Sequence, residues 1–146
     1  MPEIYLSDSE RKTEEIAFNL AEEKKIIYGD TVALSGDLGA GKTAFTRGLV
    51  RFFSPSSRVT SPTFSLVNEY KMTNNNSKIF HFDMYRINSE EDLLSIGFYD
   101  YLGESNIIII EWFDKIADFF DENTIRINIV KLNGDERKII FERAEK

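Results

Sequence analysis

The sequence predicts an α/β fold of three layers, in which helices cover both faces of a mixed sheet with a parallel core and antiparallel hairpins. Three observations predict it. The apolar segment 31–35 is followed by a glycine-rich loop and then by a segment with helical periodicity. Residues 107–110 are four isoleucines, which is typical of a strand buried on both faces. Residues 125–129 alternate between apolar and polar side chains before an Asn-Gly turn.

The first part of the chain predicts a strand, a helix, a second strand and a second helix. Residues 3–6 are the first candidate strand. Ser7 and Glu10 have the spacing of a capping box, so they predict a helix that runs to about residue 25. The segment 31–35 is the second strand, and residues 44–53 form the second helix.

The segments after residue 53 predict two antiparallel hairpins, a strand between them and two short helices. Their bounds are 64–70 and 79–83 for the first hairpin, 89–94 for a helix, 107–110 for the strand, 116–120 for a helix, and 125–129 and 137–141 for the second hairpin. Turn residues separate the strands of each hairpin, at 74–77 and at Asn133-Gly134. There is no internal repeat and no long linker, so residues 1–146 are predicted to form a single domain.

Composition excludes several classes of function. The formal net charge is −7, so a broad nucleic-acid-binding face is not expected. The absence of cysteine excludes disulfides and thiolate metal sites, and a single histidine, His81, excludes a multi-histidine metal site. No stretch has the length of a membrane span, and residues 1–4 do not have the pattern of a signal peptide. We therefore predict a cytoplasmic protein.

The glycine-rich loop fits the pattern G-x-x-x-x-G-K-[ST] at each fixed position. It consists of Gly36, Asp37, Leu38, Gly39, Ala40, Gly41, Lys42 and Thr43, and Ala44 follows it. Glycines let the main chain approach a ligand, so that successive N–H groups and the start of the next helix attract an anion. Lys42 supplies a charge for the β- and γ-phosphates, and the Thr43 hydroxyl can bind Mg²⁺. The motif predicts a P-loop NTPase-like fold and a nucleoside triphosphate ligand.

Two carboxylates are candidates for the second half of the site, because hydrolysis or transfer needs acids that hold Mg²⁺ and position a nucleophile. Asp83 and Glu111 each end an apolar, strand-like run. Ligands of α/β folds bind at the carboxyl ends of strands, which suits both positions. The sequence leaves open which acid contacts Mg²⁺ and which orients water. His81 is interpreted as a hairpin residue rather than a catalyst.

The segment 59–64 follows the phosphate-loop helix and has two interpretations. It suits a switch-like loop, containing Thr60, Ser61 and Thr63, that senses the γ-phosphate through Thr63. It also suits an ordinary Ser-Pro turn that leads the chain into the next strand. The residues alone favour neither interpretation over the other.

Together these motifs resemble one family, the TsaE (YjeE) ATPases of bacterial tRNA modification. Besides the phosphate loop, the matching segments are 59–70 with Ser-Pro-Thr-Phe, 81–86 with His-x-Asp-x-Tyr-Arg, 94–98, and 110–112 with Ile-Glu-Trp. They occur in the family's order and spacing and span most of the chain. The chain differs from many relatives at Phe113-Asp114, where they carry Pro and Glu.

The resemblance implies a protein that binds ATP and Mg²⁺ and hydrolyses ATP slowly on its own. It implies phosphate and Mg²⁺ contacts for Lys42 and Thr43, an acidic pair formed by Asp83 and Glu111, and a switch-like loop that contains Thr63. It also implies work with the TsaB and TsaD proteins in making N6-threonylcarbamoyladenosine in tRNA. In that role the nucleotide cycle restores the TsaB–TsaD pair between turnovers, and tRNA is reached only through the complex.

Two other functions use the same loop. A small-molecule kinase usually needs a second substrate pocket and a basic lid, and no arginine-rich insertion of that kind is visible. A nucleotide-gated interaction module would bind ATP to create a partner surface, with incidental hydrolysis.

For an ATPase, no arginine finger is evident in the sequence. This predicts weak basal turnover and leaves room for a partner to complete the site.

Overall fold

The computed structural model describes residues 2–37, 39–57, 59, 67–71, 77–83, 91, 106–111 and 124–143. These residues contain seven strands and two helices. The elements are β1 (Glu3–Ser7), α1 (Glu10–Glu22), β2 (Thr31–Ser35), α2 (Lys42–Phe53), β3 (Val67–Lys71), β4 (Lys78–Asp83), β5 (Ile107–Glu111), β6 (Thr124–Lys131) and β7 (Arg137–Arg143). Neither α1 nor α2 is long and apolar enough to cross a membrane.

The seven strands form one mixed sheet in the order β1-β7-β6-β2-β5-β4-β3. β2 is parallel to both of its neighbours, β5 and β6, and β5 is parallel to β4. The β3–β4, β6–β7 and β1–β7 pairs are antiparallel. The α/β class is therefore confirmed, with the predicted parallel core and with both predicted hairpins at its sides.

The middle of the sheet is buried on both faces. On one face Val32, Ile109 and Ile125 lie side by side in register and belong to the core that includes the apolar residues of α1 and α2. On the other face Ile108 and Ile110 are also buried. Each fully buried isoleucine contributes about 1.5–3 kcal/mol. This burial explains why β5 consists almost entirely of isoleucine.

Helix α1 begins at a different serine from the one predicted. Its N-cap is Ser9, whose hydroxyl accepts from the Lys12 N–H at 3.1 Å. Ser7 is instead the last residue of β1, paired in register with Arg137. The Ser7 hydroxyl lies 2.8 Å from that of Thr13. The predicted capping box is wrong because strand pairing, which the local spacing does not reveal, holds Ser7 in the sheet.

The helix also ends earlier than predicted, at Glu22. Lys24 has φ 62°, a left-handed conformation that cannot continue an α-helix.

Some predicted elements lie outside the described residues. They are the short helix at 89–94 except for residue 91, the short helix at 116–120, the strand start at 64–66 and the turn positions 74–76. The helices predicted to cover the second face of the sheet therefore stay a prediction.

Helices α1 and α2 cross in contact, and a glycine permits the crossing. A Cβ atom on Gly48 would lie 2.1 Å from the carbonyl oxygen of Glu14 and 2.7 Å from the Cβ of Ala17. Both distances are far shorter than van der Waals contact. The absence of a side chain at Gly48 therefore brings the N-terminal half of α1 close to the helix that follows the phosphate loop.

We expect Gly48→Ala to destabilise the protein by about 1–3 kcal/mol through overpacking. At an ordinary interior helical position the same change stabilises by about 1 kcal/mol, so the sign is diagnostic. Urea unfolding followed by circular dichroism measures the difference. Arg51→Ala on the same helix, where the side chain is 49% exposed, is the control and is expected to change stability little. A Gly48→Ala variant as stable as the parent would contradict this account of the crossing.

Candidate functional site

The glycine-rich loop connects β2 to α2 at the carboxyl end of the sheet. Gly36 has φ 141°, and a Cβ there would lie 2.4 Å from the carbonyl oxygen of Ile129 in β6. Gly41 has φ 117° and is the N-cap of α2. Glycine is therefore required at both ends of the loop. The described candidates for nucleotide binding are Gly36, Asp37, Gly39, Ala40, Gly41, Lys42, Thr43 and Ala44.

Lys42 is the first residue of α2, and its side chain folds back into the loop. Its ammonium donates to the carbonyl oxygen of Gly36 at 2.6 Å and to that of Asp37 at 3.3 Å. The residue is only 6% exposed. Thr43 follows at the second position of the helix, and Gly41 has no side chain with which to cap it. A buried cation and a helix N-terminus at one loop together attract a polyanion.

Glu111 lies at the end of β5, beside the strand that leads into the loop. It pairs in register with Leu34 of β2, two residues before Gly36. Its carboxylate is buried, and Oε2 lies 2.7 Å from Nε2 of His81. On the other side of β5, Asp83 of β4 is the register partner of Glu111. Both predicted acids therefore lie at strand ends, as expected from the sequence, and the structure adds that the two strands are adjacent and parallel.

Several predicted site residues lie outside what the structure describes. The side chain of Asp83 is one, although its backbone belongs to β4. Leu38 of the loop and the predicted switch residues Thr60, Ser61 and Thr63 are the others. Their predicted roles stay predictions. Of the predicted site, the structure describes the phosphate loop apart from Leu38, the start of α2 and the end of β5.

Arg137 is a site residue that the sequence did not reveal. It begins β7, and its Nε donates to the carbonyl oxygen of Ala40 at 3.0 Å. Its Nη2 lies 3.4 Å from the carbonyl oxygen of Gly39. The guanidinium therefore ties the second hairpin to the phosphate loop. No local motif marks this residue, because its partners are almost a hundred positions away in the chain.

A cavity of about 310 Å³ lies beside the phosphate loop. The start of α1, the loop and the second hairpin each contribute to its wall. The lining residues are Ser9, Glu10, Thr13, Gly39, Ala40, Gly41, Asp135 and Arg137. The cavity lies on the β6–β7 side of β2, whereas Glu111 lies on the β5 side. The loop thus has an acid on one side and an open cavity on the other.

The donor atoms of the site suit magnesium rather than a softer metal. Among the residues that the structure describes, no three His, Asp or Glu side chains form a metal-binding group. Magnesium in nucleotide sites needs only one or two protein oxygens, because water and phosphates supply the rest. A Thr43 hydroxyl and a Glu111 carboxylate are hard oxygen donors of this kind. These residues fit a nucleotide-bound magnesium ion.

Comparison with known proteins decides the family. Residues 7–139 match the sequence profile of the family described as "Threonylcarbamoyl adenosine biosynthesis protein TsaE". The chain belongs to the TsaE family. The resemblance inferred from the phosphate loop and the Ser-Pro-Thr-Phe, His-x-Asp-x-Tyr-Arg and Ile-Glu-Trp segments is therefore confirmed. Family membership assigns the chain to the biosynthesis of threonylcarbamoyladenosine in tRNA.

Individual TsaE proteins and a solved structure agree with the family profile. The chain is 37% identical to the tRNA threonylcarbamoyladenosine biosynthesis protein TsaE of Rickettsia conorii, over 92% of this chain and 74% of that protein. It is 40% identical to the TsaE of Haemophilus influenzae, over 82% and 72% of the two chains. A crystal structure of Bacillus subtilis YdiB matches with a TM-score of 0.74 at 26% identity, covering 99% of this chain and 87% of that one.

We expect Arg137→Ala to loosen the phosphate loop without unfolding the protein. The amides of residues 39–41 should exchange with deuterium faster than in the parent, because two carbonyl contacts that hold the loop are lost. Arg143→Ala on the same strand is the control, since Arg143 bonds Asp30 at 2.7 Å and does not hold the loop. Hydrogen exchange measured by mass spectrometry makes the comparison. Equal exchange in the parent and the Arg137 variant would show that the loop holds its shape unaided.

Proposed function

We propose that the chain binds ATP with Mg²⁺, hydrolyses it slowly to ADP and phosphate, and thereby supports repeated turnover of a TsaB–TsaD complex in tRNA threonylcarbamoyladenosine synthesis. One observation carries the ATPase part: a buried Lys42 ammonium lies in a glycine loop beside the strand that ends in buried Glu111. Family membership supports the pathway part. The partners, and not this chain, carry out the carbamoyl transfer itself.

The phosphates are proposed to occupy the concave side of the loop. The Lys42 ammonium donates there to the Gly36 and Asp37 carbonyl oxygens, and an anionic phosphate is a stronger acceptor than a neutral carbonyl. Loop amides and the start of α2 add further donors, as in other P-loops. A triphosphate would therefore displace the ammonium from its carbonyl contacts and be held by charge-assisted hydrogen bonds.

The proposed orientation of the nucleotide follows from the order of the strands around the loop. Glu111 lies on the β5 side, so the γ-phosphate is assigned to that side. The cavity lined by the start of α1 and by Arg137 lies on the opposite side, so the nucleoside is assigned there. The cavity volume of about 310 Å³ suits a purine nucleoside, since small-molecule sites begin at about 300 Å³.

In the proposed reaction a water oxygen attacks the γ-phosphorus, and the bond from that phosphorus to the β–γ bridging oxygen breaks. ADP leaves with the bridging oxygen, and the proton of the attacking water passes to the carboxylate that orients it or to phosphate. Asp83 or Glu111 orients the water, while the other acid and the Thr43 hydroxyl hold Mg²⁺. Magnesium, when bound, neutralises charge on the phosphate oxygens. Positioning and charge stabilisation dominate such phosphoryl transfers.

The chain is proposed to contact partner proteins and not to bind tRNA directly. The chain has a net charge of −7, which opposes tight binding to a phosphate backbone. A TsaB–TsaD complex would therefore carry the tRNA contacts. Slow hydrolysis alone and faster hydrolysis in the complex are expected if the partners complete the site. The predicted switch-like loop with Thr63 is proposed to couple the nucleotide state to that contact.

We expect Lys42→Ala to abolish ATP binding or turnover, because the loop loses its buried positive charge. Isothermal titration with ATP·Mg²⁺ and release of phosphate measure the two effects. Lys71→Ala on edge strand β3 is the matched control, since its exposed side chain lies at the far edge of the sheet. Unchanged ATP affinity and unchanged turnover in the Lys42 variant would refute the ATPase assignment.

We expect purified TsaB and TsaD together to stimulate phosphate release by the parent protein. Glu111→Ala should still bind ATP but lower hydrolysis by about 100- to 10,000-fold, the usual contribution of a positioned acid or base. Multiple-turnover tRNA modification assays then separate the candidate functions. Loss of repeated rounds with Glu111→Ala supports hydrolysis as the functional step. Continued rounds would favour a nucleotide-gated interaction module, and phosphate transfer to a metabolite would favour a kinase.

A further inference from the structure

The single histidine of the chain is completely buried against the proposed catalytic acid. His81 lies in β4 with 0% of its surface exposed. It stands in one row across the sheet with Ile109 and Val32, two core residues. Its Nε2 lies 2.7 Å from Oε2 of Glu111, which is 6% exposed. The imidazole therefore contacts Glu111 from the core side.

Stability does not explain this contact. The second ring nitrogen, Nδ1, is buried and has no hydrogen-bond partner among the residues that the structure describes. A buried polar atom without a partner destabilises the folded state, and replacement of a buried polar pair by apolar side chains is often neutral or stabilising. An apolar residue at position 81 would continue the core formed by Ile109 and Val32. The presence of histidine here points to a role in the site.

We infer that His81 is a positioning residue for Glu111. Its Nε2–H donates to Oε2 and fixes the carboxylate orientation, so that Oε1 is the oxygen that acts on the nucleotide side. This inference rests on the proposed ATPase function. A glutamate has three side-chain torsions, and a hydrogen bond from the rigid sheet selects one arrangement before substrate binds. The imidazole itself does not touch substrate.

The arrangement follows from the register of β4 and β5. His81 pairs with Ile109, and two residues further along the two strands Asp83 pairs with Glu111. The hydrogen bond therefore runs diagonally, from one residue pair to the following one. This places its donor beneath the strand ends and away from the loop, where it can hold the carboxylate without blocking the nucleotide.

Two substitutions with side chains of similar length separate a positioning role of His81 from a packing role. His81→Gln keeps an N–H donor near the place of Nε2, whereas His81→Met fills the same space without a donor. We expect His81→Met to lower kcat for ATP hydrolysis by about 10- to 100-fold, with KM and the nucleotide dissociation constant changed less than about threefold. His81→Gln should recover most of the lost kcat. The melting temperature of His81→Met should equal or exceed that of the parent.

A Glu111→Gln background shows whether His81 acts through Glu111. Residues that act as a unit are non-additive, so His81→Met should leave the residual kcat of that background almost unchanged. An equal loss in both backgrounds would overturn the inference, and so would a His81→Met variant with parental kcat. If His81→Met does not fold, His81→Leu replaces it, and failure of both to fold also overturns the inference. A parent protein without hydrolysis, alone or with TsaB and TsaD, would instead refute the proposed ATPase function.

Discussion

The parallel register of β2, β5 and β4 is the constraint on which the candidate site depends. Because the three strands run in the same direction, their carboxyl ends meet at one edge of the sheet. Leu34 lies opposite Glu111, and Glu111 lies opposite Asp83. A slip of one residue would turn Glu111 to the opposite face. The buried isoleucines that hold this register therefore also determine which residues end the strands beside the phosphate loop.

The phosphate loop is supported by elements from distant parts of the chain. β6 contacts its start at Gly36, and Arg137 of β7 holds Ala40 near its end. Helix α2, which follows the loop, is held against α1 through Gly48. A binding loop on such a framework loses little conformational freedom when ligand binds, so more of the contact energy appears as affinity. The chain as a whole has a net charge of −7, whereas Lys42 and Arg137 bring positive charge to the loop.

Local patterns predicted much of this structure. The glycine loop, the isoleucine strand and the Asn-Gly hairpin each have a signature within ten residues, and both acids were expected at strand ends. Contacts between distant residues were not predictable in this way. The Ser9 cap depended on the pairing of β1 with β7, and the Arg137 contact on the hairpin folding over the loop. The His81–Glu111 contact required the register of two strands that are separate in sequence.

The Arg137–Ala40 contact has a consequence for synthesis of the protein. Its partners are 97 residues apart, and Gly36 similarly meets a strand near the other end of the chain. A ribosome makes the phosphate-loop motif early, yet the supports of that loop emerge only with the last hairpin. The nascent chain therefore carries the motif long before it carries the site. The described loop, with both of these contacts, can form only after the last hairpin has been made.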